Sequence, residues 1–392
     1  MSISVDREQA FIDSIRRVSD ELAAPNADAV DREARFPHET VEALREERAF
    51  SALVPVELGG EGLGLETVAL ACLELGRRCG ASAMVFAMHQ IQVATIVRHL
   101  DPGSWFADYL RDVASEQRLI ASVTSEVGTG GDMARSIAAV TSRHDGRGIE
   151  FEKQAPTVSY GEYADDLLVT LRRSEQSEQS DQVVALARSD QTVLTRTGSW
   201  DPLGMRGTCS PGYTVAAQLE REQILGAPFA MIAAESMVPV SHILWSHLWL
   251  GIATDAFDRA RAFVRAAARR KPGELPPAAL RLSHLTSRLA LLRAEVESGL
   301  RDFLEASQDP ERAHLSTVAA ALRFNNLKIA ASELAPVICQ DALGVTGIVG
   351  FKNDTPFSVG RHLRDTMSAC LMVANERIHQ TNANLLLVAK DV

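Results

Sequence analysis

The sequence predicts an α+β protein built as three units in series, and three observations carry that prediction. Residues 1–118 place apolar side chains at helical spacing. Residues 119–227 break into short runs rich in Val, Thr and Ala, separated by charged or glycine-containing turns. Residues 228–392 return to long helical patterns, and a helix–strand–helix order within one chain leaves few architectures.

In the first unit the helical pattern runs from Val5, is interrupted at Pro37, and resumes through HETVEALREERAFSAL from His38. The loop VPVELGGEGLG, Val54 to Gly64, breaks it with paired glycines, and Leu65 to Leu75 reads as the next helix. The uncharged stretch from Gly80 to Val97 contains His89, Gln90 and Gln92, so a buried helix is expected there and not a membrane span. In the second unit LIASVTSEV, DLLVTLRR, QVVALARSD and YTVAAQLE read as antiparallel strands. The repeat SEQSEQS, Ser174 to Ser180, reads as a solvated hairpin loop. In the third, helices are expected over Ser241–Arg270, Ala278–Ala306 and Arg312–Val337, with KPGELPP between the first two.

Composition excludes several functions. The net charge of -11, without a Lys and Arg cluster, argues against a nucleic-acid partner. Five cysteines, odd in number and without CxxC spacing, offer neither a disulfide framework nor a metal site and fit a reducing cytoplasm. The N-terminus MSISVDREQAF is charged and lacks an apolar signal core, so a cytoplasmic protein away from the membrane is expected.

One irregular segment stands out. In WDPLGMRGTCS, Trp200 to Ser210, Gly204 and Gly207 suit a turning backbone, and Arg206 with Thr208 and Ser210 offers donors to an anionic or polar ligand. An ordinary surface hairpin is the competing reading.

Taken with the order of elements, four segments resemble the acyl-CoA dehydrogenase superfamily of FAD flavoproteins. VPVELGGEGLG looks like its N-domain loop, SEVGTGGD (Ser125 to Asp132) like its TEPxxGSD flavin loop, WDPLGMRGT like its β-domain turn, and GRHLRD (Gly360 to Asp365) like its C-terminal Arg-Asp element. The resemblance spans nearly the whole chain. It implies a helical N-terminal domain, a middle antiparallel β-barrel or sandwich, a C-terminal four-helix bundle, and a homo-oligomer arranged as a dimer of dimers.

For the cofactor, FAD, the resemblance implies contacts from Ser125, Gly130 and Gly131, whose hydroxyl and backbone N–H groups suit the polar edge of a flavin. In TVSYGEYAD the hydroxyl facing the ring is Ser159 in one alignment and Thr157 in another. Arg206 is placed beside the flavin and acyl region, and Arg269 or Arg270 of RRKPGE, Arg270 being the expected contact, stands for an element whose aromatic is missing here. In GVTGIVGF, Gly344 to Phe351, Gly347 and Gly350 match part of the segment that reaches FAD across a subunit interface, with Ile348 in place of a glycine, and Gly344 and Gly347 are the contacts expected from it.

For the chemistry it implies α,β-oxidation of an acyl thioester, acyl-CoA or a related small molecule. A carboxylate would remove the α-proton as a hydride passes to the flavin. Nine residues after Arg364, where the family's Glu stands, this chain has Val373, and the alternative position falls at Ser241 and His242. Glu376, about one helical turn beyond Val373, and His242 are the replacement candidates; a surface charge and a packed core histidine are the competing readings. His89 and Ser159 fall where flavin monooxygenases of the dibenzothiophene type place a His and a Ser. Three functions therefore stand: a dehydrogenase passing electrons to a transfer partner, a monooxygenase using oxygen on the same fold, and a non-catalytic subunit of a mixed tetramer.

Overall fold

Helices occupy the chain as far as Glu116: α1 (Ser2–Val18), α2 (Ala24–Glu33), α3 (His38–Glu46), α4 (Leu65–Gly76), α5 (Gly80–Arg98) and α6 (Trp105–Glu116). This computed structural model describes residues 2–143, 146, 148–308 and 315–389. Nearly every side chain of α5 is buried, His89, Gln90 and Gln92 included, so the uncharged stretch is an interior helix as its polar residues imply.

Among the described residues seven strands follow: β1 (Ile120–Val123), β2 (Thr141–Ser142), β3 (Gly148–Ala155), β4 (Asp166–Arg172), β5 (Gln182–Arg188), β6 (Thr192–Arg196) and β7 (Tyr213–Glu220). They form two sheets, ordered β1-β4-β5 and β2-β3-β7-β6. SEQSEQS is the connection between antiparallel β4 and β5, as expected. One pairing departs from the antiparallel expectation: β1 lies parallel to β4, Ile120 opposite Asp166 and Val123 opposite Val169. The chain leaves β1, builds β2 and β3 in the other sheet, and re-enters beside β1 from the same end, a crossover that requires parallel pairing. Both strands are tied at that end by Asp166, which accepts from Tyr109 Oη at 2.7 Å and from Arg118 Nε at 2.6 Å.

The last part is helical: α7 (Phe229–Ile232), α8 (Val238–Arg270), α9 (Ala279–Ser307), α10 (Val318–Thr346), α11 (Ile348–Phe351), α12 (Gly360–Met367) and α13 (Asn375–Leu386). A π-helical turn over Ala233–Met237 joins α7 to α8. The start expected at Arg312 lies outside the described residues. At its other end α10 passes through Pro336 and continues to Thr346, beyond the expected stop at Val337. Burial of Ala335, Ile338, Cys339, Ala342 and Val345 outweighs the N–H that proline lacks.

Among the described residues, three long helices, α8, α9 and α10, pack on one another, and the shorter α12 and α13 pack against α10. After Gly347, at φ 60, the backbone breaks into the short α11, α12 and α13, with a further interruption at Val373, at φ 45. The N-terminal helices lock onto this bundle by backbone contact. A Cβ at Gly76 would lie 2.5 Å from the Leu248 carbonyl oxygen, and one at Gly251 would lie 2.3 Å from that of Leu73, so α4 and α8 pass too closely for any side chain at either position.

Candidate active site

A cavity of about 690 Å³ opens where the three parts meet. One wall is a stripe on α5, Met84, Met88, Ile91 and Gln92, at the spacing that puts residues on one helical face. The facing wall is a stripe on α8 and the turn before it, Met237, Ser241 and Trp245. The two helices run antiparallel: Gly80 at the start of α5 abuts Ile252, and His99 just past its end bonds Ser236 Oγ through Nε2 at 3.1 Å. Met367, Leu371, Met372 and Val373 close a third side. Of the nine methionines in the chain, seven line this cavity, which makes its apolar surface deformable.

The β part supplies a hydroxyl-rich rim. Ser125 Oγ donates to the Thr157 carbonyl at 2.7 Å, Ser210 Oγ donates to Ser159 Oγ at 3.0 Å, and Thr208 Oγ1 lies 2.9 Å from Ser210 Oγ. Trp200 donates Nε1–H to the Arg206 carbonyl at 3.0 Å, which sets its indole on the wall. Gly130 and Gly131 also line the cavity at φ 62 and 83, a region open to glycine, and a Cβ at Gly130 would lie 2.8 Å from Arg377 Nη2.

That glycine loop is fixed from beneath by a buried carboxylate. Glu126 accepts from Ser136 Oγ at 2.8 Å and from the backbone N–H groups of Ile137 at 3.1 Å and Ala138 at 2.6 Å. Lys153 Nζ stands 3.6 Å from Glu126 and donates to the Thr170 carbonyl at 2.7 Å; burial pulls its ammonium down to about 8.

Two strained non-glycine residues sit on the wall, each held by a buried charged side chain. Met205, at φ 52, donates its N–H to Asp365 Oδ1 at 2.7 Å. Burial pushes the Asp365 carboxyl up to about 6, against the opposing pull of Arg361. Val373 is a β-branched residue in the left-handed region, and its carbonyl accepts from Lys328 Nζ at 3.0 Å. Lys328 also donates to Asn375 Oδ1 at 2.7 Å, and burial lowers its ammonium to about 8.

The residues expected for the flavin divide. Ser125, Gly130, Gly131, Thr157 and Ser159 all line the cavity. Arg206 does not: its Nε donates to the Asp31 carbonyl at 2.7 Å, and Nη1 pairs with Asp201 at 2.6 Å and the Pro202 carbonyl at 2.8 Å, so it staples the turn to α2. Arg270 is exposed at the end of α8, while Gly344 and Gly347 lie at the end of α10, where the Gly344 carbonyl accepts from Arg281 Nη1 at 2.9 Å. None of these four is on the cavity wall of this single chain.

The three catalytic candidates are corrected by the geometry. His89 is fully buried; Ile120 N–H donates to its Nδ1 at 3.0 Å and its Nε2 bonds the Phe50 carbonyl at 2.8 Å, so both nitrogens serve the fold. Burial holds its imidazole near 4. His242 gives Nδ1–H to the Phe324 carbonyl at 3.0 Å, away from the wall, and burial lowers it to about 3. Glu376 is exposed and off the wall, although its neighbour Arg377 is on it. Among the described residues the only carboxylate lining the cavity is that of Asp132. Sequence reasoning missed the methionine stripe and Arg377; the spacing of Met84, Met88 and Ile91 was the available signal.

Comparison with known proteins matches residues 5–116 to the family described as acyl-CoA dehydrogenase, N-terminal domain. Benzylmalonyl-CoA dehydrogenase of Aromatoleum aromaticum is 25% identical, over 99% of this chain and 98% of its own. L-Evernosamine nitrososynthase of a Micromonospora species is 28% identical, over 93% of this chain and 86% of its own. The FMN-bound structure of TdsC from Paenibacillus sp. A11-2 superposes with a TM-score of 0.82 at 22% identity, covering 97% of both chains. Residues 5–116 thus match the acyl-CoA dehydrogenase N-terminal domain, and over its full length the chain is similar to proteins of the acyl-CoA dehydrogenase superfamily and shares their helix–sheet–helix fold.

Proposed function

We propose that this protein is an FAD-dependent oxidoreductase of the acyl-CoA dehydrogenase type, acting on an acyl thioester or a related small molecule in the cavity between α5, α8 and the β part. The observation that carries the reading is the wall itself. It combines flat apolar surface from Trp200 and the methionines, a hydroxyl rim at Ser125, Thr157, Ser159 and Ser210, and a glycine loop whose backbone is bare at Gly130 and Gly131. These residues fit a flavin: the hydroxyls and loop N–H groups would hold the polar edge of its ring, and a side chain at Gly130 would fill space beside Arg377. When bound, the flavin supplies the two-electron acceptor that the protein's own side chains lack.

A second reading, a flavin monooxygenase on the same fold, is favoured by one feature. Val373 occupies the place of the expected carboxylate, and Glu376 and His242 do not reach the cavity. Among the described residues, the dehydrogenase reading leaves Asp132 as the wall's only carboxylate able to take a proton from substrate. The monooxygenase reading requires no such base.

The test begins with the extracted cofactor, expected to be FAD; a colourless protein that neither FAD nor FMN, oxidised or reduced, reconstitutes rules out both readings. Anaerobic bleaching of the holoprotein by butyryl-CoA supports the dehydrogenase. No bleaching, together with substrate-dependent oxygen uptake when the flavin is first reduced with dithionite or by NADH and an added flavin reductase, one atom of labelled O2 entering the product and the other leaving as water, establishes the monooxygenase instead.

A further inference from the structure

Between α5 and α8 the cavity wall carries no charged residue. Its surface there is Met84, Met88, Ile91 and Gln92 against Met237, Ser241 and Trp245, and the charged wall residues Asp132, Arg364 and Arg377 belong to the glycine loop, α12 and α13. The nearby ionisable groups are turned elsewhere. His242 bonds the Phe324 carbonyl, and Lys328 is engaged with Val373 and Asn375. An ionised ligand group would find no counter-charge at this end and would lose its hydration, whereas apolar surface would be buried against adaptable thioethers.

The polar atoms add a second constraint. Among the described residues, two of the buried side-chain atoms left without a hydrogen-bond partner belong to cavity-lining residues: the acceptor Gln92 Oε1 and the donor Trp245 Nε1–H. Gln92 is 2% exposed and Trp245 7%. Gln92 already spends its amide N–H on the Met88 carbonyl at 3.0 Å, and Ser241 donates to the Met237 carbonyl. Both unpaired atoms are shielded from water; Met84, Met88 and Met237 line the same stretch of wall, and thioether side chains with three torsions let that wall yield to a ligand group. Leaving a buried donor and a buried acceptor unmet is costly, and one neutral group that both donates and accepts satisfies the pair.

We propose that this end of the cavity binds an uncharged, largely apolar group bearing a single hydroxyl or amide-type substituent, which donates to Gln92 Oε1 and accepts from Trp245 Nε1–H. The proposal rests on the cavity being the substrate site of the oxidoreductase described above.

Calorimetric titration of the purified holoprotein tests it with 4-ethylphenol, its methyl ether 4-ethylanisole, and 4-ethylbenzoate. The phenol is expected to bind about fivefold tighter than the ether, the worth of one neutral hydrogen bond. The benzoate is expected to bind at least about tenfold more weakly than the phenol. Gln92→Met should bring the phenol-to-ether ratio close to one, while binding of the ether reports that the pocket still forms. Trp245→Phe, which removes a donor that either ligand oxygen can use, should weaken phenol and ether alike by about fivefold and leave their ratio unchanged. Benzoate binding as tightly as the phenol, a ratio that Gln92→Met does not alter, or binding of both neutral probes that Trp245→Phe does not weaken overturns the proposal, as does failure of every probe to saturate.

A further arm compares free 4-ethylphenol with 3-(4-hydroxyphenyl)propanoyl-CoA. Tighter binding of the thioester assigns the group to an acyl chain, and tighter binding of the phenol assigns it to a free molecule. Calorimetry needs no turnover, which separates the two conclusions. A protein that binds the phenol but holds no flavin defeats the oxidoreductase reading, whereas a flavoprotein indifferent to the hydroxyl defeats this one.

Discussion

Replacing Asp365 by asparagine isolates the electrostatic cost of the contact that shapes one wall of the cavity. The carboxylate is 3% exposed and accepts the N–H of Met205, which sits at φ 52. Asparagine keeps an acceptor oxygen in the same place, so the bond survives and the charge is removed. The groups facing the carboxylate are Arg361 and Arg364, which favour its ionised form, and Asp31, which opposes it; burial outweighs them and raises the carboxyl from 3.8 to about 6. That displacement corresponds to roughly 3 kcal/mol. For an acid raised in the folded state, the stabilising contribution is complete below the unfolded value and disappears as pH rises through the folded one. The wild type should therefore lose roughly 3 kcal/mol relative to Asp365→Asn as pH climbs from about 4 to above 6. Urea unfolding followed by far-ultraviolet circular dichroism, for both proteins at intervals from about pH 4 to about pH 8, measures the gap. The gap should widen with pH in favour of the variant. A gap that stays constant across that range would show that Asp365 is not held against its charge, and the explanation given for its raised value would be wrong.

Two further substitutions probe the same cavity. Glu126→Ala leaves Lys153 buried without its carboxylate and frees two backbone N–H groups beneath the glycine loop. A loss of about 3–5 kcal/mol is expected in thermal or denaturant unfolding, with weaker retention of flavin on gel filtration; unchanged stability would mean the pair is not the loop's support. Val373→Glu places a carboxylate on the wall at the position where the family's base is expected. If the dehydrogenase reading is right, anaerobic bleaching by butyryl-CoA should quicken by about tenfold or more in a stopped-flow measurement, and an unaltered rate argues that this wall does not face a reactive C–H.

Much of the fold could be read from local pattern. The uncharged run through His89 gave a buried helix because its polar residues find partners inside the protein, and SEQSEQS gave a hairpin loop because nothing in it can be buried. The parallel pairing of β1 with β4 was hidden, since strand direction follows from a crossover through the other sheet and not from either strand's residues. The passage of α10 through Pro336 was hidden for a similar reason: local propensity points to a stop, and burial against neighbouring helices overrides it.

The candidate site divides along the same line. Ser125, Gly130, Gly131, Thr157 and Ser159 were legible because short motifs carry their backbone geometry with them, and all five reach the cavity. His89, His242, Glu376 and Arg206 were chosen for side-chain chemistry, and chemistry depends on what each group meets. The first two give ring nitrogens to carbonyl or N–H groups of the core, Glu376 points to solvent beside a residue that faces inward, and Arg206 is consumed by Asp31, Asp201 and Pro202.

By itself, the sequence determined the order of helical and strand regions, the family frame and the absence of a carboxylate at Val373, because each is written in local residue identity. Only the tertiary structure decided which side chains share a cavity. Seven methionines distant in sequence converge on one surface, Lys328 and Asp365 hold Val373 and Met205 in strained turns, and Gln92 and Trp245 are left unpaired on facing helices. These are facts of convergence and burial, and a residue's neighbours across the core are fixed only when the helices and sheets pack.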